Sequence, residues 1–128
     1  MDIRHLESDI LFASLPAEPQ LGPELALLRS NSLGAQDKHL ILDLSRVEII
    51  TSPSIGGLLL LRRTLSERGR RLILCNVHLA TRCILRVVGL DRLFEVTPDR
   101  FGALEALRES PAAPADALHG NEGRSSPE

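Results

Sequence analysis

Aromatic residues are nearly missing: Phe12, Phe94 and Phe101 stand without a single Tyr or Trp among 128 residues. Such a chain has no row of rings on which single-stranded bases could stack. A basic block is missing as well. With 15 Lys and Arg against 17 Asp and Glu, the net charge is -2 and the isoelectric point about 6.1. Nucleic-acid binding by phosphate neutralisation is therefore not expected. The longest uncharged apolar run, Ile55 to Leu61, falls far short of the roughly 20 residues needed to span a bilayer, so no membrane insertion is expected. Met1 to His5 carries no apolar signal-peptide core. Two cysteines make no disulfide framework, and a reduced, cytoplasmic protein is expected.

What is present fits one globular domain. The chain is 43% hydrophobic and 25% charged, a balance able to bury a single core. Its composition shifts after residue 109. Residues 110–128 hold Pro111, Pro114, Pro127, Gly120, Gly123 and one large aliphatic, Leu118. That segment cannot bury enough apolar surface to offset its ordering entropy. The expected organisation is a domain over 1–109 and a disordered tail over 110–128.

Within the domain, strand-like and helix-like segments alternate. Ile10 to Ala13 reads as a strand paired with a short one around Ile3 to Leu6. Gly22-Pro23-Glu24 predicts a helix start, with Gly22 as N-cap, running to Leu33 and stopped by Gly34. His39 to Leu44 is almost continuously apolar, as an interior strand covered on both faces should be. A second helix is predicted from Ser52-Pro53 to a stop at Gly69, then a strand over Arg71 to Cys75. A third helix spans Leu79 to Val88, closed by Gly89-Leu90. Leu93 to Val96 gives a short strand, and Thr97-Pro98-Asp99 caps a fourth helix to Glu109. This alternation implies crossover connections and an α/β fold with a mainly parallel sheet.

The second helix is the informative segment. At about 100° per residue, Ile55, Leu58, Leu61 and Leu65 share a stripe that should face the sheet. Leu60 points the other way, in line with Gly56, Arg63 and Glu67. A lone exposed leucine is ordinary, but Gly56 and Gly57 beside it cost helix propensity and permit close backbone approach. Ser52 reads as the N-cap and Pro53 as N1. A helix N-terminus of this kind also stabilises an anion, including phosphate carried on a hydroxyl.

Leu42 to Gly57, followed by Gly69-Arg70-Arg71-Leu72-Ile73-Leu74-Cys75-Asn76-Val77 and Val88-Gly89-Leu90-Asp91-Arg92-Leu93-Phe94, resembles the STAS family of anti-sigma factor antagonists and sulphate-transporter domains. The resemblance implies a small mixed, mainly parallel sheet flanked by about four helices, over nearly the whole of the domain. The family signature before this helix is Asp-Ser-Ser-Gly-Leu-Gly, with the second serine as phosphoacceptor. Position by position it falls on Thr51, Ser52, Pro53, Ser54, Ile55 and Gly56. Pro53 has no hydroxyl to phosphorylate, and Thr51 replaces the carboxylate. Ser52, Ser54 or Thr51 could substitute as acceptor, with Ser52 and Ser54 the candidates kept. A Gly-x-x-Asp-like turn frequent in the family is missing near Phe12 to Pro16, which weakens any inherited nucleotide contact.

Other constellations carry less. Cys75, His78 and Cys83 have zinc-like spacing but no fourth ligand. Cys75 ends an apolar strand, and Cys83 falls on a stripe with Ala80, Ile84 and Val87 that is expected to be buried. No metal and no cofactor are expected. Asp43, at the carboxyl end of its strand, could meet the Thr51-Ser52 hydroxyls in a small enzyme, but no general base accompanies it. The resemblance implies instead a non-enzymatic binding module whose partner is an anti-sigma factor or a serine-kinase-like protein, with self-association also open. The alternative is a scaffold subunit of a sensory or transport complex. The expected contact residues are Thr51, Ser52, Pro53, Ser54, Gly56, Gly57 and Leu60.

Overall fold

The computed structural model describes residues 1–30 and 37–109. Five strands and four helices follow in the order β1 (Asp2–Glu7), β2 (Ile10–Ser14), α1 (Leu21–Arg29), β3 (His39–Asp43), α2 (Ser52–Glu67), β4 (Leu72–Cys75), α3 (Leu79–Val87), β5 (Glu95–Thr97) and α4 (Arg100–Glu109). The sheet runs β1-β2-β3-β4-β5. A tight connection makes β1 and β2 antiparallel, and helical crossovers make each later neighbour parallel. The sheet is mixed and mainly parallel, as the alternation implies. Among the described residues no helix is long and apolar enough to cross a membrane.

The period of two in the strands divides the core between two faces. Leu11, Ala13, Leu40, Leu42, Leu72 and Leu74 point toward α1, α2 and α3, where Leu21, Leu25, Leu28, Leu58, Leu61, Leu65 and Leu85 meet them. Ile10, Phe12, Ile41, Ile73 and Cys75 point the other way and are covered by Ala103 and Leu107 of α4. Polar ties close the α4 side. Arg71, buried, donates from Nε to Glu95 Oε2 at 2.9 Å and from Nη1 to the Ala106 carbonyl at 3.2 Å. This single guanidinium pins β4 to β5 and to α4. His39, also buried, accepts the Arg71 backbone N–H on Nδ1 at 3.0 Å.

Two of the three predicted glycine stops fall among the described residues, and both are present. Gly69 and Gly89 have φ of 73° and 80°, a region open to glycine at little cost. Arg70 N–H reaches Leu65 O at 2.8 Å and Leu90 N–H reaches Leu85 O at 2.7 Å, with the tighter turns from Gly69 N–H to Ser66 O and Gly89 N–H to Arg86 O beside them. This double bond pattern ends α2 and α3.

Two expectations are corrected, and two lie outside the described residues. Helix α1 begins at Leu21 with Gln20 as N-cap, so Gly22 and Pro23 lie inside its first turn. It ends at Arg29; the expected extension to Leu33 and stop at Gly34 lie outside the described residues. The inward face of α3 is Thr81 and Leu85, whereas Cys83 and Val87 are exposed. The arc that α3 buries is therefore rotated away from the predicted stripe. The expected tail over 110–128 lies outside the described residues.

Candidate functional site

The parallel pairing of β2, β3 and β4 brings the loops that follow them to one edge of the sheet, where open α/β sheets tend to place their sites. The β2–α1 loop brings Glu18, and the β3–α2 loop brings Ile49 to Thr51 and the start of α2.

Thr51, one residue before the predicted Ser52, is the N-cap of α2. It is extended at φ -92° and ψ 161°, and its carbonyl accepts the first helical bond from Ile55 N–H at 3.0 Å. Ser52 therefore sits at N1 and Pro53 at N2. Both are exposed, and the missing N–H of Pro53 is harmless in a first turn. The cap itself comes from elsewhere. Thr51 makes no side-chain cap bond; instead Glu18 Oε2 accepts both the Thr51 N–H and the Thr51 hydroxyl, each at 2.9 Å. Ser54 Oγ lies 3.3 Å from Thr51 Oγ1. Burial pushes the Glu18 carboxyl up, but hydrogen bonds from Ser54, the Thr51 N–H and the Thr51 hydroxyl outweigh it and hold the group below the usual carboxylate range. A carboxylate thus already occupies the place where the helix N-terminus favours negative charge.

The expected contact residues divide into two sets. Thr51, Ser52, Pro53 and Leu60 are exposed, Leu60 by 46%, and a Cβ on Gly56 would meet nothing within 4 Å. Ile49, just before the helix, is 71% exposed as well. Ser54 is buried and Gly57 half-buried. Ser54 is 1% exposed and packs under the start of α1, its Oγ 3.6 Å from where a Gly22 Cβ would stand. Its expected place as a small surface residue is corrected by that burial. Gly57 does allow a close approach, but within the domain: a Cβ there would lie 3.3 Å from Leu25 Cδ1 of α1. Of the predicted inward stripe, Leu58, Leu61 and Leu65 are fully buried and Ile55 partly so.

Asp43 does not meet the Thr51-Ser52 hydroxyls. Its Oδ1 accepts the Ser45 N–H at 2.9 Å and the Asn76 amide at 3.3 Å. It lines an open depression of about 330 Å³ with Arg4, Asn76 and Arg100 on the α4 side of the sheet, whereas α2 packs on the opposite face. Burial, with Asp43 and Asp99 nearby, pushes the Cys75 thiol up to about 12. Cys83 is exposed on α3, and His78 Nε2 lies 2.6 Å from the Ser45 carbonyl. Among the described residues no three His, Cys, Asp or Glu side chains gather where a metal could be held.

Sequence reading misses Glu18, since nothing local marks a single acid in a loop. A usable signal exists: two adjacent parallel strands put their following loops side by side, so an acid in one can face the helix start in the other.

Comparison with known proteins places this geometry in context. The model of the STAS domain family matches residues 5–103. No curated protein sequence matches the chain. Among solved structures, an anti-sigma factor antagonist STAS domain protein from Planctomyces limnophilus is 22% identical at a TM-score of 0.71, covering 84% of this chain and 97% of that one. A Thermotoga maritima protein described as an anti-sigma factor antagonist is 19% identical at a TM-score of 0.71, covering 84% and 93%. The phosphorylated form of the Bacillus cell fate determinant SpoIIAA is 18% identical at a TM-score of 0.58, covering 84% and 98%. At these identities the likeness is one of fold.

Proposed function

Because this chain belongs to the STAS domain family, we propose that it is a non-enzymatic regulatory module that docks on a bacterial anti-sigma factor or serine-kinase-like protein without a phosphate switch at the start of α2. The observation that carries this reading is a start of α2 that has Pro53 at the acceptor position and a carboxylate, Glu18, already on Thr51. Pro53 stands at the family's acceptor position with no hydroxyl. Glu18 already holds the Thr51 N–H and hydroxyl. A phosphate on Ser52 or Thr51 would add nearly two negative charges beside that carboxylate and meet repulsion there.

The docking surface in this reading consists of Thr51, Ser52, Pro53, the bare backbone at Gly56, and the apolar anchors Ile49 and Leu60. Its charged border includes Arg63 and Glu67, an exposed pair at 3.5 Å. Such a surface combines an apolar centre with a polar rim, the usual anatomy of a specific contact. Affinity capture from the native cell lysate tests the reading, with Leu60→Asp as control. The expected result is a kinase-like or anti-sigma partner retained by the unphosphorylated wild type and lost with the variant. Recovery of a sensory or transport complex instead would favour the scaffold alternative.

A further inference from the structure

Helix α3 carries a second set of apolar residues on its outward face. Thr81 and Leu85 face the domain, and the Thr81 hydroxyl is buried with no hydrogen-bond partner among the described residues. On the opposite side stand Leu79 and Val87, 75% and 85% exposed, with Cys83 exposed between them. The spacing i, i+4, i+8 makes these three one continuous ridge. Ala80 and Val88 extend the apolar area and are also exposed. Single exposed aliphatics need no explanation, but a continuous outward ridge on a helix that already buries Leu85 and Thr81 against the domain marks an interaction surface.

The charge along the ridge selects its occupant. Arg82 and Arg86 follow one flank at i and i+4, exposed, and neither enters an ion pair among the described residues. No acidic residue lies anywhere in α3. A second copy of this chain, packed ridge to ridge, would bring four guanidinium groups together with no carboxylate from either helix, and like charges at an interface are strongly disfavoured. We infer that α3 is a second docking surface, separate from the start of α2, that accepts an amphipathic helix of a partner protein whose apolar stripe is bordered by Asp or Glu. The apolar ridge supplies the buried contact and the two arginines set orientation and choice of partner.

Peptide display tests this while the natural partner is still unidentified. A library of helical peptides with randomised apolar and flanking positions is selected on the wild-type protein. The expected winners carry an apolar i, i+3, i+4, i+7 stripe flanked by acids. Their affinity should fall at least about tenfold with Val87→Asp, and an Arg82→Glu, Arg86→Glu pair should reverse the preference toward basic flanks. All substituted positions are exposed, so circular dichroism and melting should match the wild type. Cys83 maps the contact directly, because Cys75 is buried with its thiol pushed up to about 12 and will not compete for a maleimide. Bound peptide should slow Cys83 alkylation at least about tenfold, as expected for a thiol covered by a tight complex. Peptides enriched without acidic flanks, or binding unaffected by Val87→Asp and by the arginine reversal, would overturn the inference. So would Cys83 protection that rises with protein concentration alone, which would make a second copy the occupant.

Discussion

Replacing Glu18 by Ala removes the group that caps α2 from outside the helix. The structure fixes what is lost: one acceptor oxygen serving the Thr51 N–H and the Thr51 hydroxyl, both at 2.9 Å. Two hydrogen bonds to a charged acceptor would amount to roughly 3 kcal/mol or more if water could not replace them. Thr51 is exposed, so water does replace much of that, and the measured scale for losing a helix cap is about 1 kcal/mol. A loss of about 1 kcal/mol should lower the melting temperature by about 4–8 °C in a domain of this size. The pH dependence gives a sharper test. The carboxyl is held below its ordinary value in the folded protein, so its contribution is fully present above that ordinary value of 4.5. It is lost as pH falls from there through the lower folded value. Urea unfolding of wild type and Glu18→Ala should therefore differ at neutral pH and converge in acid. Equal stability at neutral pH, or a difference that persists undiminished in strong acid, would refute the assignment of Glu18 as the cap.

Three other outcomes follow from particular contacts. Gly56→Ala should raise stability by about 0.5–1 kcal/mol, since a Cβ there meets nothing within 4 Å and alanine favours helix. Gly57→Ala should gain less, because its Cβ must displace Leu25 from 3.3 Å; parallel thermal melts that show equal gains would contradict the α1–α2 packing. Burial holds the His39 imidazole below its ordinary pKa. Its unfolded form therefore takes up a proton first, and stability present above about 6.5 should decline as pH falls through the lower folded value; His39→Gln should remove that part of the slope in unfolding titrations. Glu95→Gln should cost about 2 kcal/mol by removing the negative charge that Glu95 sets against the buried Arg71 guanidinium, read as a shifted denaturation midpoint at unchanged slope.

Fold and site are not equally legible in the sequence. Alternating apolar patterns locate the five strands and four helices of the described residues, and Gly69 and Gly89 mark two helix ends correctly, because those signals are local: a period, a positive φ, a stop. Helix α3 shows where local reading fails. Its apolar residues cover much of its circumference, so the pattern alone does not say which arc the domain buries; Leu85 and Thr81 are inside only because of where β4 aims the chain. The start of α2 fails for a related reason. Ser52 has the chemistry of an N-cap, yet the cap is Thr51 held by Glu18, a contact across 33 residues that appears only when β2 and β3 pair. Gly57 stands out for close approach, and within the domain the approaching body is Leu25. Leu60 and Pro53 are readable because one is an apolar residue out of phase with its stripe and the other simply lacks a hydroxyl.

The central claim, a docking surface at the start of α2 that works without phosphate, is tested most directly by calorimetric titration of the captured partner against wild type and Leu60→Asp. Both proteins should first be shown by mass spectrometry to carry no phosphate. Unphosphorylated wild type should bind, and Leu60→Asp, folded as well as wild type, should bind at least about tenfold more weakly, a loss of about 1.4 kcal/mol or more. Equal affinity for the two proteins, or binding gained or lost only when Ser52 is phosphorylated, would contradict it.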